Sequence, residues 1–196
     1  MSDKFKLLLK QIHFPQHEEA YNEIKSGSIE SVKLFKSKRQ WFFVFSFRNL
    51  LSYETFTLFD NLLHSSFDSL GAKVSYMINV EDISCDQSLL EAYFSYALDI
   101  LKSSHFSIYS LFSNLGIEIS NNSISVKAPA HILRENLHER FIALIADVLS
   151  NVGLSNVSIS VLEDKEASSS LEEAYETNKI SLQEEAESQA RQALQS

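Results

Sequence analysis

The same order of secondary-structure elements occurs twice in this chain, about eighty residues apart. Residues 1–81 predict helix, helix, strand, strand, long helix and strand, and residues 86–162 predict that order again. Each predicted long helix is followed by a lone glycine, Gly71 or Gly153. Glycine readily adopts the left-handed conformation that closes a helix, so each glycine marks a helix end. An alternating apolar strand follows each glycine. The pattern therefore predicts two small α+β units in tandem.

The predicted fold class is α+β, with two small domains that each combine helices and a three-stranded sheet in ααββαβ order. The predicted domains are residues 1–82 and 83–162, followed by an acidic, Glu/Ala/Gln-rich helical tail or linker at 163–196. The order resembles a truncated KH fold. A KH domain holds nucleotides with a G-x-x-G loop, and this sequence contains no G-x-x-G.

Composition and charge favour a folded interaction protein over a nucleic-acid or membrane protein. Apolar residues make up 44% of the chain and include 14 Phe, which is material for two modest cores. The net charge is −9, of which −6 falls on residues 163–196, so the two units are nearly neutral. One cysteine excludes an intramolecular disulfide and fits a reducing compartment. With neither a signal peptide nor a membrane-length apolar run in the sequence, a cytoplasmic location is expected.

No catalytic motif or cofactor-binding motif is recognisable in the sequence. His131, Glu135 and His138 are spaced i, i+4 and i+7 on a predicted helix from Ala130 to Asn151, a spacing that can gather metal ligands. There is no HExxH pattern and no obvious fourth ligand, so a solvated helix face is the favoured interpretation. The expectation is no catalytic residue, no metal and no cofactor.

The second predicted strand, from Trp41 to Phe47, is apolar on both faces because side chains alternate across a strand. The following helix, Tyr53 to Leu70, covers one face, and the N-terminal helix is marginal cover for the other. Incompletely covered apolar surface marks protein–protein sites. The predicted interaction residues are those of the N-terminal helix and this strand: Phe5, Leu8, Leu9, Trp41 and Phe43.

An alternative function is binding of single-stranded nucleic acid by the hairpin that precedes this strand. Lys33, Lys36, Lys38 and Arg39 lie beside Trp41, and bases stacked on the indole with phosphates on the basic side chains are one mode of single-strand binding. The competing interpretation is a solvated turn whose tryptophan belongs to the core. That interpretation is favoured, because the surrounding strand is so apolar.

The chain resembles the N-terminal region of the PolC-type replicative DNA polymerase III alpha subunit of low-GC Gram-positive bacteria, and a streptococcal member most of all. The features that carry the resemblance are the start Met-Ser-Asp-Lys-Phe-Lys-Leu-Leu-Leu, the strand Trp41 to Phe47, the Asn49-Leu50-Leu51 segment, the helix with Phe56, Phe59 and Phe67, and the Glu/Ala/Gln-rich tail. The resemblance covers the whole chain and rests on pattern and spacing.

The resemblance implies a non-catalytic protein-interaction module that tethers the polymerase in the replisome during DNA replication. In that family this region precedes the oligonucleotide-binding, PHP, exonuclease and polymerase domains, so the enzyme would be the parent DNA-directed DNA polymerase with its 3′–5′ exonuclease. The family's first unit is similar to the polymerase-binding domain of the clamp-loader tau subunit, and the resemblance implies the same for the first unit here. The expected partner is a replisome protein, tau first, with neither membrane nor direct nucleic-acid binding.

Overall fold

The computed structural model describes residues 3–16, 19–120 and 122–165, apart from the side chain of Arg134. The helices are α1 (Asp3–Gln11), α2 (Glu19–Ile24), α3 (Tyr53–Ser69), α4 (Gln87–Ser104), α5 (Phe106–Phe112), α6 (Ala130–Arg134) and α7 (Leu137–Asn151). The strands are β1 (Ser28–Phe35), β2 (Gln40–Asn49), β3 (Lys73–Asp82), β4 (Gly116–Ser120), β5 (Ser123–Ala128) and β6 (Ser158–Glu163). No membrane-spanning helix is present among the described residues. The predicted acidic tail lies outside them from residue 166 onward.

The strands form two separate three-stranded sheets with the same topology. Their orders are β1-β2-β3 and β4-β5-β6. In each sheet the first two strands are antiparallel, and the middle strand is parallel to the third. The predicted α+β class is confirmed at this level.

Two helices begin at residues whose types favour the N-cap position, Ser52 and Asp86. Ser52 Oγ accepts a hydrogen bond from the Thr55 N–H at 3.3 Å at the start of α3. Asp86 Oδ1 accepts one from the Leu89 N–H at 2.8 Å at the start of α4. Both caps satisfy backbone donors that the first helical turn leaves without a partner.

The single long helix predicted from Ala130 to Asn151 is wrong. Backbone N–H groups of Glu135 and Asn136 close α6 onto preceding carbonyl groups, and α7 begins after Asn136. Asn136 has a φ of 55°, in the left-handed region that asparagine tolerates better than most residues. His131, Glu135 and His138 therefore do not share one continuous helix face. Within the described residues, no group of three His, Cys, Asp or Glu side chains is arranged to hold a metal ion.

The two units share one hydrophobic core. Tyr93 on α4 is fully buried, and its ring centroid lies 5.1 Å from that of Phe56 on α3. Its hydroxyl donates a hydrogen bond to the Leu51 carbonyl oxygen at 3.1 Å. Because α4 also packs against α7, it joins the helical layers of both units. The proposed domain boundaries stay a prediction.

One face of the first sheet is covered by both α1 and α3. The ring centroid of Phe5 on α1 lies 5.9 Å from that of Phe45 and 5.7 Å from that of Phe47, both on β2. Phe59 on α3 packs edge-on against Phe45 at 5.2 Å. The expectation that α1 covers the face opposite α3 is therefore wrong, because α1 packs on the same aromatic face of β2 as α3. We call this face of the first sheet the helix side and the opposite face the open side.

Candidate protein-interaction surface

Four of the five predicted interaction residues are core residues. Phe5, Leu8, Leu9 and Phe43 have exposed fractions of 0%, 6%, 2% and 5%. Trp41 is half-buried, and its ring stacks on Phe43 with the centroids 6.2 Å apart. The expectation that Phe5 and Leu8 are exposed is wrong, because the apolar stripe of α1 faces the sheet.

The structure instead exposes apolar side chains on β1, an edge strand. β1 pairs only with β2, so its outer backbone groups have no strand partner among the described residues. Val32, Leu34 and Phe35 have exposed fractions of 43%, 45% and 46%. An exposed edge strand with apolar side chains is a ready template for another chain. The sequence signal for this exposed edge is the alternation of apolar residues in β1. A covered strand shows the same alternation, so the pattern does not reveal the exposure.

The strand register assigns the exposed residues to the two faces of the sheet. Val32 pairs with Phe43 and Leu34 pairs with Trp41, so both lie on the helix side. Lys33 pairs with Phe42, which places the lysine on the open side. We call the run 31–35 the β1 edge. The β1 edge presents Val32 and Leu34 to the helix side, and Lys33 and Phe35 to the open side.

The open side lacks the cover that the helix side has. Phe42 and Val44 on β2 and Met77 on β3 are half-buried there and stand apart from the hydrophobic core cluster. Their surroundings are polar: Asn79 Nδ2, for example, donates a hydrogen bond to Glu30 Oε2 at 2.8 Å. This face is therefore a mixed polar and apolar surface.

A groove lies beside the helix side, between the C-terminal ends of α1 and α3. Its volume is about 490 Å³, and its apolar lining is Leu8, Ile12, Phe67 and Leu70. Leu70, predicted to belong to the buried stripe of α3, is exposed because it lies past the end of the helix. Phe67 meets the Trp41 ring edge-on at 5.9 Å, and Trp41 pairs with Leu34. This chain of contacts connects the groove to the β1 edge.

Positive charge is concentrated at the hairpin end of this surface. Lys33, Lys36, Lys38 and Arg39 are exposed, and none of them forms an ion pair with a carboxylate among the described residues. A 3-10 turn at Lys36–Lys38 connects β1 to β2. Unpaired cations beside apolar side chains favour a partner that carries both acidic and apolar groups.

A second polar cluster lies on α3, away from the β1 edge. Asp60 Oδ1 accepts a hydrogen bond from the Tyr76 hydroxyl at 2.5 Å and lies 3.3 Å from His64 Nε2. Burial, followed by the interactions with Tyr96 and with the charge of Asp60, raises the pKa of Tyr76, which stays a neutral donor. The hydrogen bond that His64 donates to the Asp60 carboxylate raises the pKa of His64 despite its partial burial. The cluster fixes α3 to β3, a structural role.

The chain matches two family models in tandem. The model described as "DNA polymerase III polC-type N-terminus I" matches residues 4–78, and "DNA polymerase III polC-type N-terminus II" matches residues 92–196. The second match alone covers more than half of the chain.

Streptococcal polymerases described as "DNA polymerase III PolC-type" are similar over the chain. The protein of Streptococcus agalactiae serotype III (strain NEM316) is 28% identical over 195 residues, which are 100% of this chain and 13% of that polymerase. The protein of Streptococcus suis (strain 98HAH33) is 25% identical, again over 100% of this chain and 13% of the relative. The protein of Streptococcus pyogenes serotype M5 (strain Manfredo) is 24% identical over 93% of this chain and 12% of the relative.

These matches confirm the resemblance and its streptococcal character. The chain spans about an eighth of the length of these relatives, 13% in the first case. Both family models describe the N-terminus of the polymerase, which agrees with the expectation that this chain is not itself the enzyme. The chain belongs to the PolC-type DNA polymerase III family and carries its N-terminal domains I and II.

Proposed function

We propose that this chain is a non-catalytic protein-interaction module that tethers a PolC-type DNA polymerase III in the bacterial replisome during DNA replication. The polymerase and 3′–5′ exonuclease activities belong to the parent enzyme, and the module acts in the cytoplasm. Membership of the family supports the link to replication. The interaction role is supported by the surface of the first unit.

The observation that carries the proposal is the exposed apolar surface of the β1 edge. Val32 and Leu34 continue the aromatic face of the first sheet outward beyond the cover of α1 and α3. The groove with Phe67 and Leu70 extends the same surface. A contiguous apolar surface rimmed by polar and charged groups is typical of protein–protein sites.

The first candidate partner is the clamp-loader tau subunit. This choice rests on the resemblance of the first unit to the polymerase-binding domain of tau. The position of the candidate surface on the first unit is consistent with tau as the partner. Leu34 is the central apolar residue of this surface, because it pairs with Trp41, whose ring contacts Phe67 of the groove.

The test is a calorimetric titration of the full chain with tau, using Leu34→Ser and Leu162→Ser variants. Leu162 is a matched control, because it is 51% exposed on β6, an edge strand of the other sheet. Loss of a leucine side chain buried at an interface costs about 1.5–3 kcal/mol, so Leu34→Ser should weaken binding about tenfold or more. Leu162→Ser should leave affinity unchanged. Absence of tau binding, or weakening by the control variant alone, would contradict the proposal.

The alternative is a KH-like single-stranded nucleic-acid-binding module, in which the ααββαβ order of the first unit is a truncated KH arrangement. The exposed cluster Lys33, Lys36, Lys38 and Arg39 favours it. Against it, one face of the Trp41 ring is already occupied by Phe43. A titration with single-stranded DNA at several salt concentrations tests this function. Steeply salt-dependent binding that is lost in Trp41→Ala, together with no binding to tau, would replace the first proposal.

A further inference from the structure

We propose that the β1 edge binds an extended segment of a partner as a fourth strand of the first sheet, and that this segment alternates apolar and acidic side chains. The inference rests on the proposed interaction function and specifies its mode and chemistry. Strand addition to an exposed edge obtains affinity from backbone hydrogen bonds and specificity from alternate side chains.

The length of the available edge follows from its two ends. The register of β1 shifts between Ile29 and Ser31, which marks a bulge at Glu30. Bulges locally disrupt pairing and bend the strand. At the other end the 3-10 turn begins at Lys36. The edge open to an added strand is therefore the run 31–35, which suits a short linear segment.

The chemistry of the segment follows from the two faces of the edge. Side chains of an added strand lie beside those of the strand that it pairs with. On the helix side they would meet Val32 and Leu34. On the open side they would meet Lys33, with the cations of the basic turn beyond it. Apolar groups suit the first side and carboxylates the second.

The edges of β4 and β3 lack this combination. On β4, Ile117 and Ile119 pack against the core, and Glu118 accepts a hydrogen bond from Lys127 at 2.6 Å. The helix side of β3 is covered by the end of α7, where Gly153 meets Val80. The β1 edge thus differs from its counterpart β4 in the second unit, although the two sheets share one topology.

The direct test adds a short synthetic peptide of alternating glutamate and valine to the full chain and measures amide hydrogen exchange and chemical shifts by NMR. The expected result is slower exchange of amides in residues 31–35. A peptide with lysine in place of each glutamate should not bind. Lys33→Glu should weaken binding of the glutamate peptide about fivefold, since an exposed ion pair is worth up to about 1 kcal/mol. Lys25→Glu is the matched control, because Lys25 is also exposed and lies on the short segment before β1.

Several outcomes would overturn the inference. These are unchanged exchange at the β1 edge with the glutamate peptide at millimolar concentration, equal binding of the lysine peptide, or equal weakening by Lys25→Glu. A different outcome is that the amides of residues 31–35 exchange slowly without peptide and lose that protection when residues 166–196 are deleted. That result would identify the occupant as this chain's own acidic segment. If these amides are protected without peptide and lose the protection when the protein is diluted, the occupant is a second copy of this chain. Either result removes the separate partner.

Titration of tau separates this inference from the proposed function. If tau binds the wild type and Lys33→Glu with equal affinity, the strand-addition mode is wrong and the interaction module stands. If the glutamate peptide protects the β1 edge but tau does not bind, the docking mode stands and tau is not the partner.

Discussion

Gly153 lies so close to Val80 that a Cβ atom added to the glycine would come within 2.5 Å of Val80 Cγ2. The glycine follows α7 in the second unit, and the valine lies on β3 in the first. The equivalent glycine of the first unit, Gly71, has no other atom within 4 Å of such a Cβ. The two glycines end corresponding helices, but only one of them lies at the junction of the units.

Gly153→Ala should therefore destabilise the chain more than Gly71→Ala. Both glycines have positive φ, 99° and 65°, so alanine at either position costs about 1 kcal/mol or more. Overlap with Val80 raises the loss for Gly153→Ala to about 3 kcal/mol. Urea denaturation of both variants measures the difference. Equal losses would show that the junction is loosely packed.

Tyr93→Phe should lower the free energy of unfolding by about 1 kcal/mol, because the Leu51 carbonyl oxygen loses its buried donor. Burial raises the pKa of Tyr93, so the hydroxyl keeps its proton at neutral pH. Tyr109→Phe is the matched control. The Lys102 ammonium group lies over the face of the Tyr109 ring, and phenylalanine preserves that contact. Thermal unfolding by circular dichroism compares them. A similar shift in both variants would contradict a specific role for the Tyr93 hydroxyl.

Phe5→Ala should destabilise the fold by about 3–5 kcal/mol, the usual loss for a buried phenylalanine. Phe5 is fully buried and packs against Phe45, Phe47 and Phe59. Leu7→Ala on the same helix removes an exposed side chain and should change stability by less than about 0.5 kcal/mol. Chemical denaturation of both variants tests the burial of α1. A small loss for Phe5→Ala would mean that α1 does not pack on the sheet in solution.

His64 should make stability fall as pH rises through neutrality. Its hydrogen bond with Asp60 raises its pKa above the ordinary value of 6.5. The stabilisation is therefore fully present below that ordinary value and is lost as pH rises through the higher folded-state value. Because the side chain is 45% exposed, the contribution is well under about 1 kcal/mol.

The measurement is the free energy of unfolding from about pH 5.5 to about pH 8 for the wild type and His64→Gln, around the ordinary histidine pKa. The variant should remove the fall in this range and leave the rest of the profile unchanged. A profile that stays the same in His64→Gln would assign the pH dependence to another group.

Local sequence patterns predict the buried side chains of a helix well when a single face of that helix packs on the core. The 3.6-residue period of the α4 sequence predicts Leu90, Tyr93, Phe94, Ala97 and Leu101 as its buried face, and all five are buried. The period of 3.6 residues fixes that face without knowledge of any neighbour. The same applies to the caps at Ser52 and Asp86, since a cap acts on its own first turn.

Features that depend on distant parts of the chain could not be predicted in this way. The alternation of β1 is the same for an edge strand as for a covered one, and only the strand order leaves Val32 and Leu34 exposed. Burial of Phe5 depends on how α1 packs across the sheet. The break before α7 arises at Asn136, which permits a positive φ but does not require it. Sequence patterns thus assign the candidate surface to side chains such as Phe5 that are buried, whereas Val32 and Leu34 on β1 are exposed.

The position of Trp41 has a practical consequence. It is the single tryptophan of the chain, half-buried, with Leu34 beside it on the edge strand and Phe67 of the groove against its ring. Any segment that covers Leu34 would exclude water near the indole and shift its fluorescence emission. The chain therefore contains an intrinsic optical probe next to the surface of interest, and binding there can be followed without attaching a dye.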